Sequence, residues 1–463
     1  MNPPLDSAAT MAALDAALKS PAADELEISV LARAGEYTRF AGQVIHQPQD
    51  ITEVQYLVRA VVNGHPYRVA TTVAADLDRA VAAAADGART RAALSAAVGT
   101  VGTVRLAVLD QSQAPQSPAP AHLWFDDTAA YDAGARSGLA RRAMAEAAAA
   151  GGEAAGMFGR AVTQQLVATT SGIRRATAAT EASGALTVSI DDGTAHWIDL
   201  GRSASRLDAA ASVARAVAQA RASRGRIELP AGRYEVVLGA EAVGELLGFL
   251  PDLGFSATLA AAGIGITART GQPVAAPLVD VADDGGADVG LPIGFDIEGV
   301  TKRRVPFFTG GRVGEAVTDL ATAAALGRPS TGHAHIAREQ VPEPAAANIV
   351  MAAGPHSEDE LIAQVERGVY LQRFWYTRLV DRVAGTITGV TRDACFLIEN
   401  GRLTAPLDGM RFTESVLGVL AGVQATGSQV RSQPIMNVWN GAVSAPAVRA
   451  AAFRLGAAPV ATA

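Results

Sequence analysis

The sequence predicts an α+β protein in two parts. Residues 1–225 form an N-terminal α+β domain with a mixed or antiparallel sheet and helices, and 226–463 a C-terminal β-rich domain with a few helices. Three observations carry this. Strand-like runs alternate with Ala-rich helical stretches up to about residue 222. From 225 the chain turns glycine-rich, with many short strand signals. A length of 463 residues is enough for two or three domains with substantial cores.

In chain order, AATMAALDAALK (8–19) reads as an amphipathic helix. ELEISVLARAGEYTRFAGQVIHQ alternates like a strand, with a turn expected at Ala34-Gly35-Glu36. EVQYLVRAVVNGHPYRVATT is a hairpin signal, because Asn63-Gly64 is a preferred two-residue turn. A helix follows over roughly 75–90, with Leu77, Val81 and Ala84 on one face. SQAPQSPAP (112–120) is a proline loop, and 133–155 is Ala-rich and helical. Strand runs then flank Asp191-Asp192-Gly193, and a helix covers 205–222. A strand-hairpin-helix unit at 26–90 is thus echoed at 165–222; two unrelated mixed segments are the alternative.

Past 225 the strand signals are RIELPAGRYEVVLGA, GIGITAR, AAPLVDVAD, RRVPFFTGGR, NIVMAAG, DRVAGTITGV and ACFLIENGRL. Helices are expected at 239–250, 313–325, 357–367 and 412–425. Ser357 and Glu360 have capping-box spacing.

Hydrophobic residues make up 49% and charged residues 18%, the composition of a folded globular chain. A net charge of −7 argues against nucleic-acid binding by bulk electrostatics. The single cysteine, Cys395, rules out an intrachain disulfide and fits a reducing compartment. No basic leader with an apolar run and no stretch of membrane-spanning length is present, so the expected location is cytoplasmic, with no membrane partner.

Few residues offer chemistry. His333 and His335 are the only close histidine pair; on a strand they would share a face toward one metal. Pro329, Gly332 and Pro342 instead mark a solvated loop. Cys395, in a strand-like run, reads as a buried, inert thiol. GIGITARTG and TGGRVGEA fit neither phosphate-binding fingerprint and read as turn glycines. The cluster Tyr370, Phe374, Trp375, Tyr376 is a candidate peptide groove, with core packing or a subunit interface as alternatives.

GAEAVGELLGFL (239–250) holds the remaining candidates. Zinc peptidases set two His ligands on one helix, with a glutamate beside the first as general base. Here Glu241 stands in the glutamate position, but Ala240 and Glu245 occupy the ligand positions. Five residues advance an ideal helix by about 500°, so such a pair converges only on a distorted helix, which Gly244 would permit. As an ordinary helix it would pack Leu246, Leu247, Phe249 and Leu250 inward and leave Glu241 in solvent.

Several stretches, in order, resemble the TldD/TldE (PmbA) metalloprotease-related family: AEAVGELLGFL, FTGGRVGEAVTDLATAAALG, EPAAANIVMAAG and TRDACFLIENGRLTAPLDGMRFTESVLGVL, with the N-terminal hairpin also fitting. The likeness is weakest at 95–165 and after 425. It implies an α+β domain followed by a β-rich one, dimerisation around a cavity for extended peptide, and roles in degrading unfolded polypeptides or maturing ribosomally made peptides. TldD-like members carry His-Glu-x-x-x-His on this helix and a cysteine near the C-terminus as zinc ligands; TldE-like members lack them and pair with a TldD-like chain. Residue by residue, Ala240 and Glu245 replace the histidines, Glu241 keeps its place, and Cys395 lies too early to match the zinc cysteine.

The resemblance therefore implies a TldE/PmbA-like subunit with no cofactor of its own. Zinc would sit in a TldD-like partner, and the substrate would be an unfolded or leader peptide. A metallopeptidase using His333, His335 and Glu241, or a homodimer that binds peptide without cutting, are the alternatives.

Overall fold

The computed structural model describes residues 1–98, 104–107, 122–337, 341–436 and 438–456. The proline loop expected at 112–120 lies outside them.

The first half runs α1 (Ser7–Ala17), β1 (Glu25–Ala41), β2 (Val44–Val62), β3 (His65–Thr71), α2 (Leu77–Val98), α3 (Asp126–Ala129), α4 (Ala133–Ala149), β4 (Glu153–Thr169), β5 (Arg174–Ile190), β6 (Gly193–Gly201) and α5 (Ala209–Ala222). All six strands form one antiparallel sheet in the order β3-β2-β1-β4-β5-β6. This order is symmetric about the β1/β4 pair. Each side runs helix, three strands and a closing helix, with the four-residue α3 added before α4 on the second, so the echo seen in the sequence corresponds to a repeated topology.

Turn chemistry sets the hairpins. Asn63 (φ 50°) and Gly64 (φ 77°) both take the left-handed conformation that a tight two-residue turn needs. The turn expected at Ala34-Gly35-Glu36 is absent: β1 continues through it, paired on both sides, and reverses at Gly42-Gln43 instead. Gly35 serves side-chain packing, since a Cβ there would lie 2.6 Å from the Tyr37 hydroxyl. The helix expected over 133–155 stops at Ala149, and β4 begins at Glu153.

β1 is buried on both faces. Leu26, Ile28 and Val30 meet Val81, Ala84 and Ala88 of α2. The alternate residues point to the second half: Leu31 packs on Ile297, and the Ser29 hydroxyl donates to the Ile297 carbonyl.

β7 (Gly232–Leu238) and α6 (Ala240–Leu247) open the second half, whose sheet has 13 strands. β7 lies inside it, antiparallel to Ala442–Leu455 and parallel to Arg367–Leu371. Its core gathers Phe255, Phe307, Phe308, Phe412 and Phe453 around Leu246 and Leu247. The expected helices are shorter: Leu320–Ala325, Glu358–Ala363 and Val416–Ala421. Ser357 and Glu360 do form a capping box. GIGITAR is no strand, because Gly263 (φ 69°) and Gly265 (φ 101°) take left-handed conformations and the chain coils into a short 3-10 turn. Gly310 and Gly311 turn the chain between Val305–Thr309 and Arg312–Val313.

The halves share a core in which Phe158, Trp197 and Val213 of the first pack with Val237, Tyr370 and Phe396 of the second. Among the described residues no helix is long and apolar enough to cross a membrane.

Candidate functional site

The helix of interest is α6. Gly239 ends β7 and starts it, and its own N–H donates to the Leu371 carbonyl. The Ala242 N–H donates to the Gln372 carbonyl, so the end of a neighbouring strand satisfies part of the helix N-terminus. Ala242, Val243, Leu246 and Leu247 are buried. Leu250 is buried too, but in a separate 3-10 turn (Leu250–Leu253), so α6 is shorter than the expected 239–250.

Gly244 gives α6 an unusual neighbour: a Cβ there would stand 2.9 Å from Cδ of Gln433. With its amide turned to satisfy both groups, Gln433 spans the Glu241 carbonyl at 3.3 Å and the Glu245 N–H at 3.1 Å. These are the two ends of one rung of the helix ladder, and a side chain set against a rung is a known cause of local distortion.

Glu241 is not in solvent, as a plain amphipathic helix would have it. It is 8% exposed, and its Oε2 lies 2.7 Å from Nδ1 of His196 on β6. The first half thus contributes directly to this site. Gln372 donates its Nε2–H to the His196 carbonyl, tying β6 to the strand end beside α6.

Two clefts flank α6, and Glu241 lines both. The first, about 280 Å³, is bounded by α5, the α6 N-terminus and the start of Glu358–Ala363; Trp197, Arg215, Tyr370, Gln372 and Arg431 line it. The second, about 410 Å³, is lined by His196, Glu245, Phe374, Trp375, Tyr376 and Met436. Burial raises the Glu245 carboxyl above the usual range, against the opposing pull of Thr377, Arg373 and Arg378. Burial likewise brings Asp199 up to about 6, although it accepts from the N–H groups of Ser432 and Leu200.

The aromatic candidates divide. Trp375 is 49% exposed at the second cleft, with the guanidinium groups of Arg373 and Arg392 5.3 and 4.9 Å from its ring centroid. Phe374 is a core residue stacked on Phe453 and tilted against Phe412 that also backs the second cleft. Tyr370 is buried and belongs to the first cleft, where its hydroxyl donates to Glu358 at 3.1 Å.

The histidine pair is not in a solvated loop. Ala334–Ala337 pairs as a strand with Val341–Pro344, and both imidazoles are buried. His333 Nε2 lies 2.8 Å from Asp283, and its Nδ1 is 2.8 Å from the Thr331 carbonyl. Neither histidine lines a cleft that Glu241 lines, so the structure does not bring the three together. Cys395 is buried as expected, and burial pushes its thiol up to about 12.

A zinc ion does not fit the α6 residues. Ala240 offers no donor atom, Glu241 is engaged by His196, and the described residues contain no group of three His, Cys, Asp or Glu side chains placed to hold a metal. His196, Trp197, Gln372, Arg431 and Gln433 are the site residues that sequence reasoning missed. Their only signal there was an unremarkable alternation along strands.

Residues 231–457 match the PmbA/TldA metallopeptidase C-terminal domain. A protein named metalloprotease TldD homolog from Haemophilus influenzae is 30% identical over 210 residues, 44% of this chain and 43% of that protein. A metalloprotease of Methanothermobacter thermautotrophicus is 27% identical over 203 residues, 44% of each chain. The chain thus matches less than half the length of these curated relatives. In fold, it resembles the crystal structure of TldE from Thermococcus kodakarensis with a TM-score of 0.82 at 16% identity, covering 96% of this chain and all of that one. Residues 231–457 thus carry a PmbA/TldA metallopeptidase C-terminal domain, in a chain whose fold is similar to that of TldE.

Proposed function

We propose that this chain is a zinc-free, TldE-like subunit of a heterodimeric metallopeptidase, and that it holds extended peptide in a cavity shared with a zinc-bearing TldD-like partner. The carrying observation is α6: the ligand positions hold Ala240 and Glu245, and Glu241 is paired with His196. The substrate would be an unfolded polypeptide or the leader of a ribosomally made peptide, and hydrolysis would belong to the partner.

The second cleft supports a peptide-handling role. The strand Arg373–Asp381 pairs only with Thr386–Arg392, so its other edge is unpaired among the described residues. An extended peptide adds to such an edge through main-chain hydrogen bonds, which tolerate any sequence. The pairing slips between Trp375 and Arg378, where Tyr376 (φ 55°) bulges outward and is 69% exposed. Trp375 and Tyr376 would then cover the peptide's side chains.

The test is metal analysis of the pure chain, with cleavage of an unfolded polypeptide measured alone and after adding a TldD-like chain. We expect far less than one zinc per chain, no cleavage alone, and cleavage in the mixture. Stoichiometric zinc, or chelator-sensitive cleavage by the isolated chain, would overturn the proposal in favour of an enzyme in its own right. Peptide binding by a self-associated chain that gains nothing from the partner would favour the homodimer.

A further inference from the structure

The first cleft contains polar atoms that the fold leaves unused. Trp197 is 3% exposed and Gln372 is 8% exposed, and both line the cleft. The Trp197 Nε1–H and the Gln372 Oε1 have no hydrogen-bond partner. A buried donor or acceptor left unpaired is penalised, so such groups are nearly always satisfied in the working state. Both side chains line the same cleft, and each keeps one polar atom unpaired just beneath its surface.

The charges in the cleft are unevenly engaged. Of the carboxylates, Glu241 is held by His196 and Glu358 accepts from Tyr370. Asp359 stands exposed at the lip. Asp199, near Arg431, is occupied by the N–H groups of Ser432 and Leu200. The Arg431 guanidinium makes no hydrogen bond or ion pair among the described residues and acts on Asp199 and Glu358 only through space. Arg215 on α5 adds a second guanidinium, bonded only to Ser212 and, at 3.9 Å, to Asp208. The N-terminus of α6 contributes positive potential at the same wall, and Gly239 has no side chain to cap it. A Cβ on Gly239 would come within 3.1 Å of the Gln372 carbonyl and 3.2 Å of the Tyr370 hydroxyl, so glycine keeps this wall open.

We infer that this cleft binds the C-terminal residue of a peptide. The α-carboxylate would lie on Arg431, Arg215 and the Trp197 Nε1–H, and the last amide N–H would donate to Gln372 Oε1. A chain terminus presents carboxylate and N–H on one α-carbon. An Asp or Glu side chain sets the carboxylate further from its own N–H, which suits adjacent acceptor and donor walls less well. The inference rests on the peptide-handling role above and names the end by which the peptide is held.

The test is fluorescence anisotropy of an unstructured peptide, labelled at its N-terminus, with the full chain. Three versions are compared: a free C-terminus, an amidated C-terminus, and an amidated C-terminus with an Asp placed internally. The free form is expected to bind roughly tenfold or more tightly than the amidated one, the usual weight of a charge-assisted contact. Arg431→Gln should abolish that preference. Trp197→Phe, which keeps the ring and removes the donor, should narrow the preference without abolishing it. Equal binding of free and amidated peptides would overturn this site while leaving peptide handling in place. Binding of the internal-Asp peptide as tightly as the free form would overturn the terminal assignment in favour of an acidic side chain. Failure of every version to bind would overturn both readings.

Discussion

Arg59→Met is expected to destabilise the protein by about 3–5 kcal/mol, the usual result of removing one partner from a buried ion pair. Arg59 on β2 stands opposite Glu27 on β1 in the sheet register and bonds to it. Its other guanidinium nitrogen bonds to Glu298 of the second half. Arg68 on β3 closes the group, 3.2 Å from Glu27 and 3.7 Å from Glu298. Glu27 and Glu298 are each 1% exposed, so the substitution leaves two carboxylates away from water with only Arg68 to share. Glu298 also caps the start of Leu320–Ala325 by accepting from the Leu320 N–H.

Urea unfolding followed by circular dichroism and tryptophan fluorescence measures the loss. Because the group bridges the halves, the two signals should separate in the variant as the halves cease to unfold together. A triple variant, Arg59→Met with Glu27→Gln and Glu298→Gln, should recover much of the loss, since it removes the stranded charges. A single variant within about 1 kcal/mol of the parent would mean the network contributes no more than an exposed pair does.

Acid is expected to unfold this protein early, with His335 responsible for a measurable share. His335 is buried edge-on against Trp439, with ring centroids 6.3 Å apart. Burial, reinforced by the nearby Lys302 charge, lowers its pKa to about 3. In the unfolded chain the same imidazole titrates near 6.5. Between about pH 6.5 and 3 the unfolded state therefore binds a proton that the folded state refuses, so stability falls as pH falls. Burial and Lys302 also lower His333, outweighing Asp283, and it acts in the same direction. Asp283 adds to the trend: despite burial, His333 and Lys302 hold its carboxyl well below the usual range, so its stabilising charge is lost only in strong acid.

His335→Phe keeps a ring against Trp439 and removes the titration. Unfolding free energies at pH 7, 5 and 4 should fall less steeply in this variant, with each unit of pKa difference worth on the order of 1.4 kcal/mol. Parallel pH profiles for variant and parent would show that His335 is not the group being titrated.

Much of the fold is legible in the sequence because its signals are local. Asn63-Gly64 places a hairpin, Ser357 and Glu360 place a helix start, and the alternation of Ile28 and Val30 places a strand face. The same reading fails where one local signal stands for two structures. Gly35 marks close side-chain packing inside a continuous strand, not a turn. Pro329, Gly332 and Pro342 look like loop, yet His333 and His335 are buried at a hairpin, His333 held by hydrogen bonds to Asp283 and Thr331 and His335 packed edge-on against Trp439.

The candidate site divides in the same way. By itself the sequence determined that α6 carries Glu241 between Ala240 and Glu245 with no histidine, and that a lone cysteine excludes an intrachain disulfide. Only the tertiary structure decided what Glu241 meets. Its partner His196 is 45 residues away on the sheet of the other half, and Arg59 reaches Glu298 across 239 residues. Such pairings leave no periodicity or spacing in the chain. They arise when two separately patterned surfaces close on one another and each buried polar group must find a partner.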